Sequence, residues 1–345
     1  MLNFQCDYLE GCHPKILEKL AETNNIQMPG YDNDPYCGSA REKIRRACGA
    51  PEADVHFLAG GTQTNLTVIS AILRPHQGVL AAAEGHIACH ETGAIEATGH
   101  KVLTLQPSDG KISASQIEEY CKNDLACSIR EHMVQPGMVY LSFPTESGTL
   151  YNRKELKEIS SVCRRYGLPL YLDGARMGYG LSSPSNDLSL ADIAELCDVF
   201  YIGGTKCGAL FGEAVVISND SLKRDFRYFI KQKGAMLAKG WLLGLQFDVL
   251  FEDGLYSGIC AKAVNYAQDI RRAFEHKGIP MFGNSVTNQQ FPILNKEQME
   301  AFHPDFEYEV WGKYDESHMI VRFVTSWATT EEEAGKLIEK IHSIP

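Results

Sequence analysis

Three groups of residues carry types and spacings that suggest chemistry. The first is Lys206 in DVFYIGGTKCGALFGEAVVI, flanked by Gly203, Gly204, Thr205 and Gly208. A lysine held against apolar and glycine-rich backbone loses solvation, which lowers its pKa and favours the neutral, nucleophilic amine; the plain alternative is a surface hairpin lysine. The second is Asp173, at the end of the apolar run LPLYLDGAR and followed by Gly174, Ala175 and Arg176. Ligands of parallel α/β sheets sit beyond the carboxyl ends of the strands, so an acid there is placed to meet a cationic ring, unless it only caps the next turn. The third is the turn LAGGTQTN, where Gly61 and Thr62 offer backbone amides and a hydroxyl at a helix start. That arrangement suits a phosphate, although it matches neither the P-loop nor the dinucleotide fingerprint.

Other residues extend the set. His86 in EGHIACHETGA follows an apolar strand and could lay its ring over a planar group. Arg176 and Arg322 could each grip a carboxylate through paired hydrogen bonds. Arg322 lies inside IVRFV, where an unpaired charge is costly. His86, Cys89, His90 and Glu91 have metal-ligand chemistry, but one helix does not bring all four together and no second ligand group matches, so no metal is expected. Together the residues supply a lysine for an aldehyde, an acid for a ring nitrogen, amides for a phosphate, an imidazole for a ring face and arginine for a carboxylate.

The elements that must position these residues alternate. A helix is predicted over HPKILEKLAETN, a loop over GYDNDPYCGSA, and a helix over SAREKIRRACGA with Ser39 as candidate N-cap. Strand, glycine turn and helix follow in ADVHFLAGGTQTNLTVISAIL. GVLAAA and KVLTLQ read as strands with a helix, HETGAIEATG, between them. MVYLSFP, LPLYLDGA, DVFYIGGT and GEAVVIS read as strands, interspersed with the helices KELKEISSVCRRYG and LSLADIAELC. Short apolar strands separated by amphipathic helices predict an α/β fold with a mostly parallel sheet covered by helices on both faces. A long helical stretch is expected from about residue 222 through KGWLLGLQFDVLF to AVNYAQDIRRAFEHKG, and an α+β C-terminal domain after it. The expected organisation is an N-terminal segment, 1–25, packing with the small domain, a large domain over 26–245 and a small one over 246–345.

Composition narrows the class. A chain of 345 residues with 44% hydrophobic content can build a sizeable core. Its net charge of −11 argues against nucleic acid as a partner. No run reaches the roughly 18 apolar residues of a membrane helix, so no membrane partner is expected. The start, MLNFQCDYLEGCHPK, shows no secretory pattern. Eleven scattered cysteines read as reduced thiols, and the expected location is the cytoplasm.

AGGTQTN, EGHIACHETGAIEATGHKV, LYLDGAR, YIGGTKCGALFGEAVV and IVRFVTSWAT resemble, in order and over nearly the whole chain, the threonine aldolase and β-eliminating lyase family of fold-type I pyridoxal-phosphate enzymes. Within that group the sequence is most similar to low-specificity L-threonine aldolases and phenylserine aldolases. The resemblance implies pyridoxal 5′-phosphate as cofactor, Lys206 as the lysine that holds its aldehyde, Asp173 as partner of its ring nitrogen and His86 over the ring. It places Gly61 and Thr62 at the phosphate, Thr205 beside the lysine, and Arg176 and Arg322 at the carboxylate of a small amino-acid substrate. It also implies a homodimer or homotetramer with interfacial sites, in which Lys231 or Lys239 reaches a neighbour's phosphate and the loop around Tyr31 helps close the site. One departure is visible: where several threonine aldolases carry a second histidine, in the segment matching PTESGTLY, this chain has Glu146, with His90 a conceivable substitute. The proton acceptor at the substrate hydroxyl is then His86, Glu91, Glu146 or a water. The activity implied is retro-aldol cleavage of a β-hydroxy-α-amino acid. The alternatives are β-elimination, transamination, or a non-catalytic binding protein of the same fold.

Overall fold

A computed structural model describes residues 1–345. The strands are β1 (Leu2–Asn3), β2 (Asp54–Leu58), β3 (Gln77–Ala82), β4 (Val102–Leu105), β5 (Gln135–Ser142), β6 (Leu170–Asp173), β7 (Val199–Gly203), β8 (Glu213–Ile217), β9 (Gln289–Gln290), β10 (Ile293–Asn295), β11 (Phe306–Glu307), β12 (Glu309–Lys313) and β13 (His318–Val324). Seven of them form one sheet in the order β2-β8-β7-β6-β5-β3-β4. β7, β6, β5, β3 and β4 pair in parallel, and β8 pairs antiparallel with both β2 and β7. β5 to β8 are buried almost throughout, as a sheet covered on both faces requires. One face packs through Phe57, Leu141, Leu172 and Phe200 onto helices, and the other through Val68, Ile69, Tyr171 and Val215.

The helices are set by local signals. Arg153–Tyr166 begins in a capping box of Asn152 and Glu155 and ends at Gly167 in the left-handed region. Pro35–Ala47 begins four residues earlier than expected, because the buried Asp34 side chain accepts from the Cys37 N–H and Pro35 fits the first helical position. Ser39 therefore lies inside the helix, not at its cap. The helix expected over HETGAIEATG is instead only a 3₁₀ turn, Glu96–Thr98, after Thr92 and Gly93 at positive φ, and a separate single turn, His86–Cys89, precedes it. A helix at Ala114–Ala126, opened by the Ser113/Gln116 capping box, lies where no element was expected. The long helical stretch is interrupted into Phe226–Gln232, Trp241–Leu250 and Leu255–His276, with Gly234 and Gly254 at positive φ in the breaks.

A small antiparallel sheet, β10-β13-β12 with β9 also on β13, forms a second layer. Its core, including Phe274, Phe302, Val321 and Phe323, is closed by the helix Glu331–Ser343 and by Phe4 near the N-terminus. The helix Leu255–His276 belongs to both cores. Tyr256, Cys260, Ala263 and Val264 pack with the large sheet, and Ile270, Ala273 and Phe274 with the small one.

Candidate active site

The carboxyl ends of five strands converge on one cavity of about 310 Å³. β2 leads to Gly60, Gly61 and Thr62; β3 to His86; β5 to Ser142 and Glu146; β6 ends in Asp173; and β7 leads to Thr205 and Lys206. Because β8 runs the other way, its first residue, Glu213, lies on the same edge. Arg176 and Tyr8 complete much of the wall.

The turn carrying Lys206 is held from several sides. Glu213 accepts from the Gly204 N–H at 3.1 Å and the Thr205 hydroxyl at 2.8 Å, and the Tyr179 hydroxyl donates to the Lys206 carbonyl at 2.5 Å. Gly212 closes the turn at φ 117°, where any side chain would be strained. Burial, and after it the Arg176 guanidinium, holds the Lys206 amine below the ordinary lysine value against the opposing pull of Asp7, Glu146 and Asp173. Burial pushes the Glu213 carboxyl up to about 8, although the Thr205 hydroxyl and Lys206 act to lower it.

Asp173 is buried and its carboxylate is fixed by three protein donors. Oδ2 accepts from Tyr140 Oη at 2.6 Å and Asn65 Nδ2 at 3.0 Å, and Oδ1 accepts from the Ala175 N–H at 3.0 Å. Asn65 also donates to Glu91 Oε1 at 2.7 Å and accepts from the Tyr171 hydroxyl. Glu91, whose side chain has no exposed surface, in turn binds His86 Nδ1 at 2.8 Å. Burial acts to lower the His86 pKa, but the Glu91 hydrogen bond and the charges of Asp173 and Glu146 outweigh it and raise it. Glu91 thus lies behind His86, off the cavity wall.

The arginines differ. Arg176 forms a bidentate pair with the fully buried Asp7, Nε to Oδ2 at 2.7 Å and Nη2 to Oδ1 at 2.9 Å, and Asn288 also donates to Asp7 at 2.9 Å. Arg322 lies outside the cavity lining; it donates to Gln289 Oε1 at 3.0 Å and the Gln5 carbonyl at 3.2 Å, pairs with Glu309, and stacks 4.8 Å from the Trp311 ring centre. His90 also stays off the cavity wall, its ring between those of His86 and Trp311 at 5.6 and 6.1 Å. The Cys89 thiol turns to the Ala83 carbonyl, and no group of metal-binding side chains is assembled. Tyr31 is 43% exposed and lies apart from the cavity, with Lys231 Nζ 4.7 Å from its ring centre; Lys239 is exposed as well.

Gly61, Thr62, His86, Glu146, Asp173, Arg176, Thr205 and Lys206 are therefore brought together, and Glu91, His90, Arg322, Tyr31, Lys231 and Lys239 stand outside. Asp7, Tyr8, Asn65, Tyr140 and Glu213 were not anticipated. Of these only Glu213 carried a local signal, an acid opening an otherwise apolar strand.

Comparison with known proteins agrees with this architecture. The family profile described as Beta-eliminating lyase matches residues 12–309. The chain belongs to that family. Its members are lyases, and the chain is similar to the low specificity L-threonine aldolases of a Pseudomonas species, 27% identical, and of Pseudomonas aeruginosa, 28% identical, each match covering 99% of this chain and 97% of the relative. Among solved structures, the threonine aldolase of Leishmania major superposes with a TM-score of 0.96 at 47% identity over 99% of this chain and 98% of that one. Cystalysin from Treponema denticola, whose structure contains pyridoxal 5′-phosphate, shares the fold at a TM-score of 0.72 and 16% identity, covering 99% of this chain and 90% of that one. The fold is that of the fold-type I pyridoxal-phosphate enzymes, with a mostly parallel sheet flanked by helices and a small antiparallel sheet domain.

Proposed function

We propose that this lyase is a pyridoxal-phosphate-dependent aldolase cleaving threonine-like β-hydroxy-α-amino acids to glycine and an aldehyde. The observation that carries the reading is one cavity faced by both a desolvated Lys206 and the Asp173 carboxylate, in a chain whose family and structural likeness point to threonine aldolases.

The residues present fit the cofactor. The helix Gly61–Ile72 starts at the cavity without a side-chain cap, so its first N–H groups are free for a phosphate, and a Cβ at Gly60 would meet nothing within 4 Å. Thr62 adds a hydroxyl at that end, and Thr205, whose hydroxyl proton goes to Glu213, lines the same cavity. Asp173, fixed by three donors, would keep a proton on the ring nitrogen, and His86, fixed by Glu91, would cover a ring face. Pyridoxal phosphate supplies an aldehyde for an amine and a cationic ring that accepts the electron pair released at Cα. Lys206 provides the amine, made nucleophilic by its loss of solvation.

Arg176, with Arg322 behind it, would hold the substrate carboxylate. That contact fixes rotation about Cα and so decides which of its bonds is set to break, a positioning contribution of several kcal/mol. An acceptor on the cavity wall takes the β-hydroxyl proton as the aldehyde forms.

The setting proposed is a cytoplasmic homodimer or homotetramer in which Lys231 or Lys239 and the Tyr31 loop of one copy reach the cavity of another. In its favour, these side chains are exposed and outside their own cavity, and all eleven cysteines are free. Residues 26–245 and 246–345 would be the large and small domains, with Phe4 of 1–25 packed in the core of the latter and Cys12 and Ile16 in that of the former.

A product assay across L-threonine, L-allo-threonine, phenylserine and serine tests the function. Glycine and acetaldehyde from the threonines are expected. Pyruvate and ammonia from serine as the main products would make it an eliminating lyase, and a keto acid formed only with an added acceptor would make it an aminotransferase. A purified protein without visible absorbance, even after incubation with pyridoxal phosphate, would leave a binding protein.

A further inference from the structure

Three acids line the cavity, and in two of them each carboxylate oxygen already accepts from the protein. Asp173 spends both oxygens on Tyr140, Asn65 and the Ala175 N–H, and Glu213 spends both on Gly204 and Thr205. Glu146 is different. Its Oε1 accepts from Ser142 Oγ at 2.9 Å and from the His86 backbone N–H at 3.2 Å, while Oε2 has no protein partner and keeps accessible surface. Two donors on one oxygen orient the carboxylate and leave the other oxygen free to accept.

The other candidate acceptors are unsuited by their surroundings. Glu91 has no exposed side-chain surface and is bound to Asn65 and His86. His86 has its Nδ1 bound to Glu91, and in the reading above its ring is set over the face of the cofactor. His90 stands off the cavity against Trp311.

We infer that Glu146 is the catalytic residue that takes the β-hydroxyl proton. This rests on the aldolase reading above. As the hydroxyl proton passes to Glu146 Oε2, the C–O double bond forms and the Cα–Cβ bond breaks. Bound pyridoxal phosphate would supply the sink for the electron pair left at Cα, a proton from solvent would complete glycine, and the proton on Glu146 would return to water when the aldehyde leaves. Ser142 and the His86 N–H act as positioning groups, holding the carboxylate in place.

Glycine provides the discriminating test, because it has an α-proton but no hydroxyl. The holoenzyme and its Glu146→Gln variant, which keeps the side-chain shape, are compared by four measurements. These are visible absorbance, spectrophotometric titration with O-methyl-L-threonine, L-threonine cleavage, and exchange of the glycine α-proton with deuterated water followed by NMR. For the variant the expected result is unchanged absorbance and an O-methyl-threonine dissociation constant within about threefold. Cleavage should fall by about 10²–10⁴, in line with loss of a general base, and glycine exchange should fall far less. In Glu146→Ala, added formate should restore part of the cleavage. Undiminished cleavage, or cleavage and exchange falling together without rescue, overturns the role of Glu146. A wild-type protein that carries the cofactor but neither cleaves threonine nor exchanges glycine overturns the aldolase reading itself, and the assignment with it.

Discussion

At the carboxyl edge of the seven-stranded sheet, every charged group has a fixed station. Asp173 takes three hydrogen bonds, His86 is backed by Glu91 and then Asn65, and the Lys206 turn is fastened by Glu213 and Tyr179. The small sheet contributes a single arginine, Arg322, which stands off the cavity. It pairs with the half-exposed Glu309 and keeps a buried Nε without a partner. The contrast separates two tasks. The groups proposed to hold a permanent cofactor are preorganised, and preorganised dipoles cost no rearrangement when charge develops. The group proposed to meet a transient carboxylate, Arg322, rests on an exchangeable internal partner. Asp7, on neither sheet, joins the two regions through Arg176 and Asn288.

The largest effect that could break this comparison is at Lys206. Lys206→Ala is expected to lose the visible absorbance of a lysine-bound cofactor and to reduce turnover to background while remaining folded by circular dichroism. Normal turnover would remove the large-sheet edge from the chemistry. Next in size is Asp7→Ala, which leaves the buried Arg176 charge uncompensated and should cost about 3–5 kcal/mol of stability in urea denaturation. A loss below about 1 kcal/mol would mean that Asp7 does not tie the two regions together. Arg322→Gln should then raise KM for the amino acid on the order of 10-fold, the scale of one or two charged hydrogen bonds, with the visible band retained. Loss of the band instead would place Arg322 in the preorganised set.

The smallest expected effect is in pH. Burial acts to raise the Asp7 carboxyl, but Arg176, Lys206 and Asn288 outweigh it and hold it below its ordinary value of 3.8. A depressed folded value means that the stabilisation is complete above the ordinary value and is lost as pH falls through the folded one. Asp7→Asn should therefore flatten the acid limb of a stability–pH curve below about pH 4. An unchanged limb would assign acid sensitivity to other carboxylates.

The sequence made the large-sheet edge legible because each group lies at the end of a short apolar strand or within four residues of it, as Asp173 does at the end of β6 and Lys206 after β7. Chain-local periodicity is enough to find such positions. Asp7, Asn65 and Tyr140 act through partners 169, 108 and 33 residues away, and nothing near them in the chain marks the contact. Ser39 was misread as a cap because Asp34 lay in a segment rich in Gly, Asp and Pro, which conceals a helix start at Pro35. The helix expected over HETGAIEATG shrinks to the 3₁₀ turn Glu96–Thr98 because GAIEA has helical spacing while Thr92 and Gly93 break it. Arg322 was correctly seen as needing a partner. That the partner is Glu309, across the β12–β13 register, follows only from the folded sheet.

The Asp7 carboxylate bridges positions 169 and 281 residues downstream, and Arg322 binds the Gln5 carbonyl across 317. Contacts of such span form only after the intervening chain has been ordered. During synthesis the groups of the large-sheet edge can gather once β8 has emerged, but the corner that Arg322 shares with Gln5 and Glu309 must wait until β13 has left the ribosome. A chain terminated before β13 would thus keep Lys206, Asp173 and Arg176 and lack Arg322.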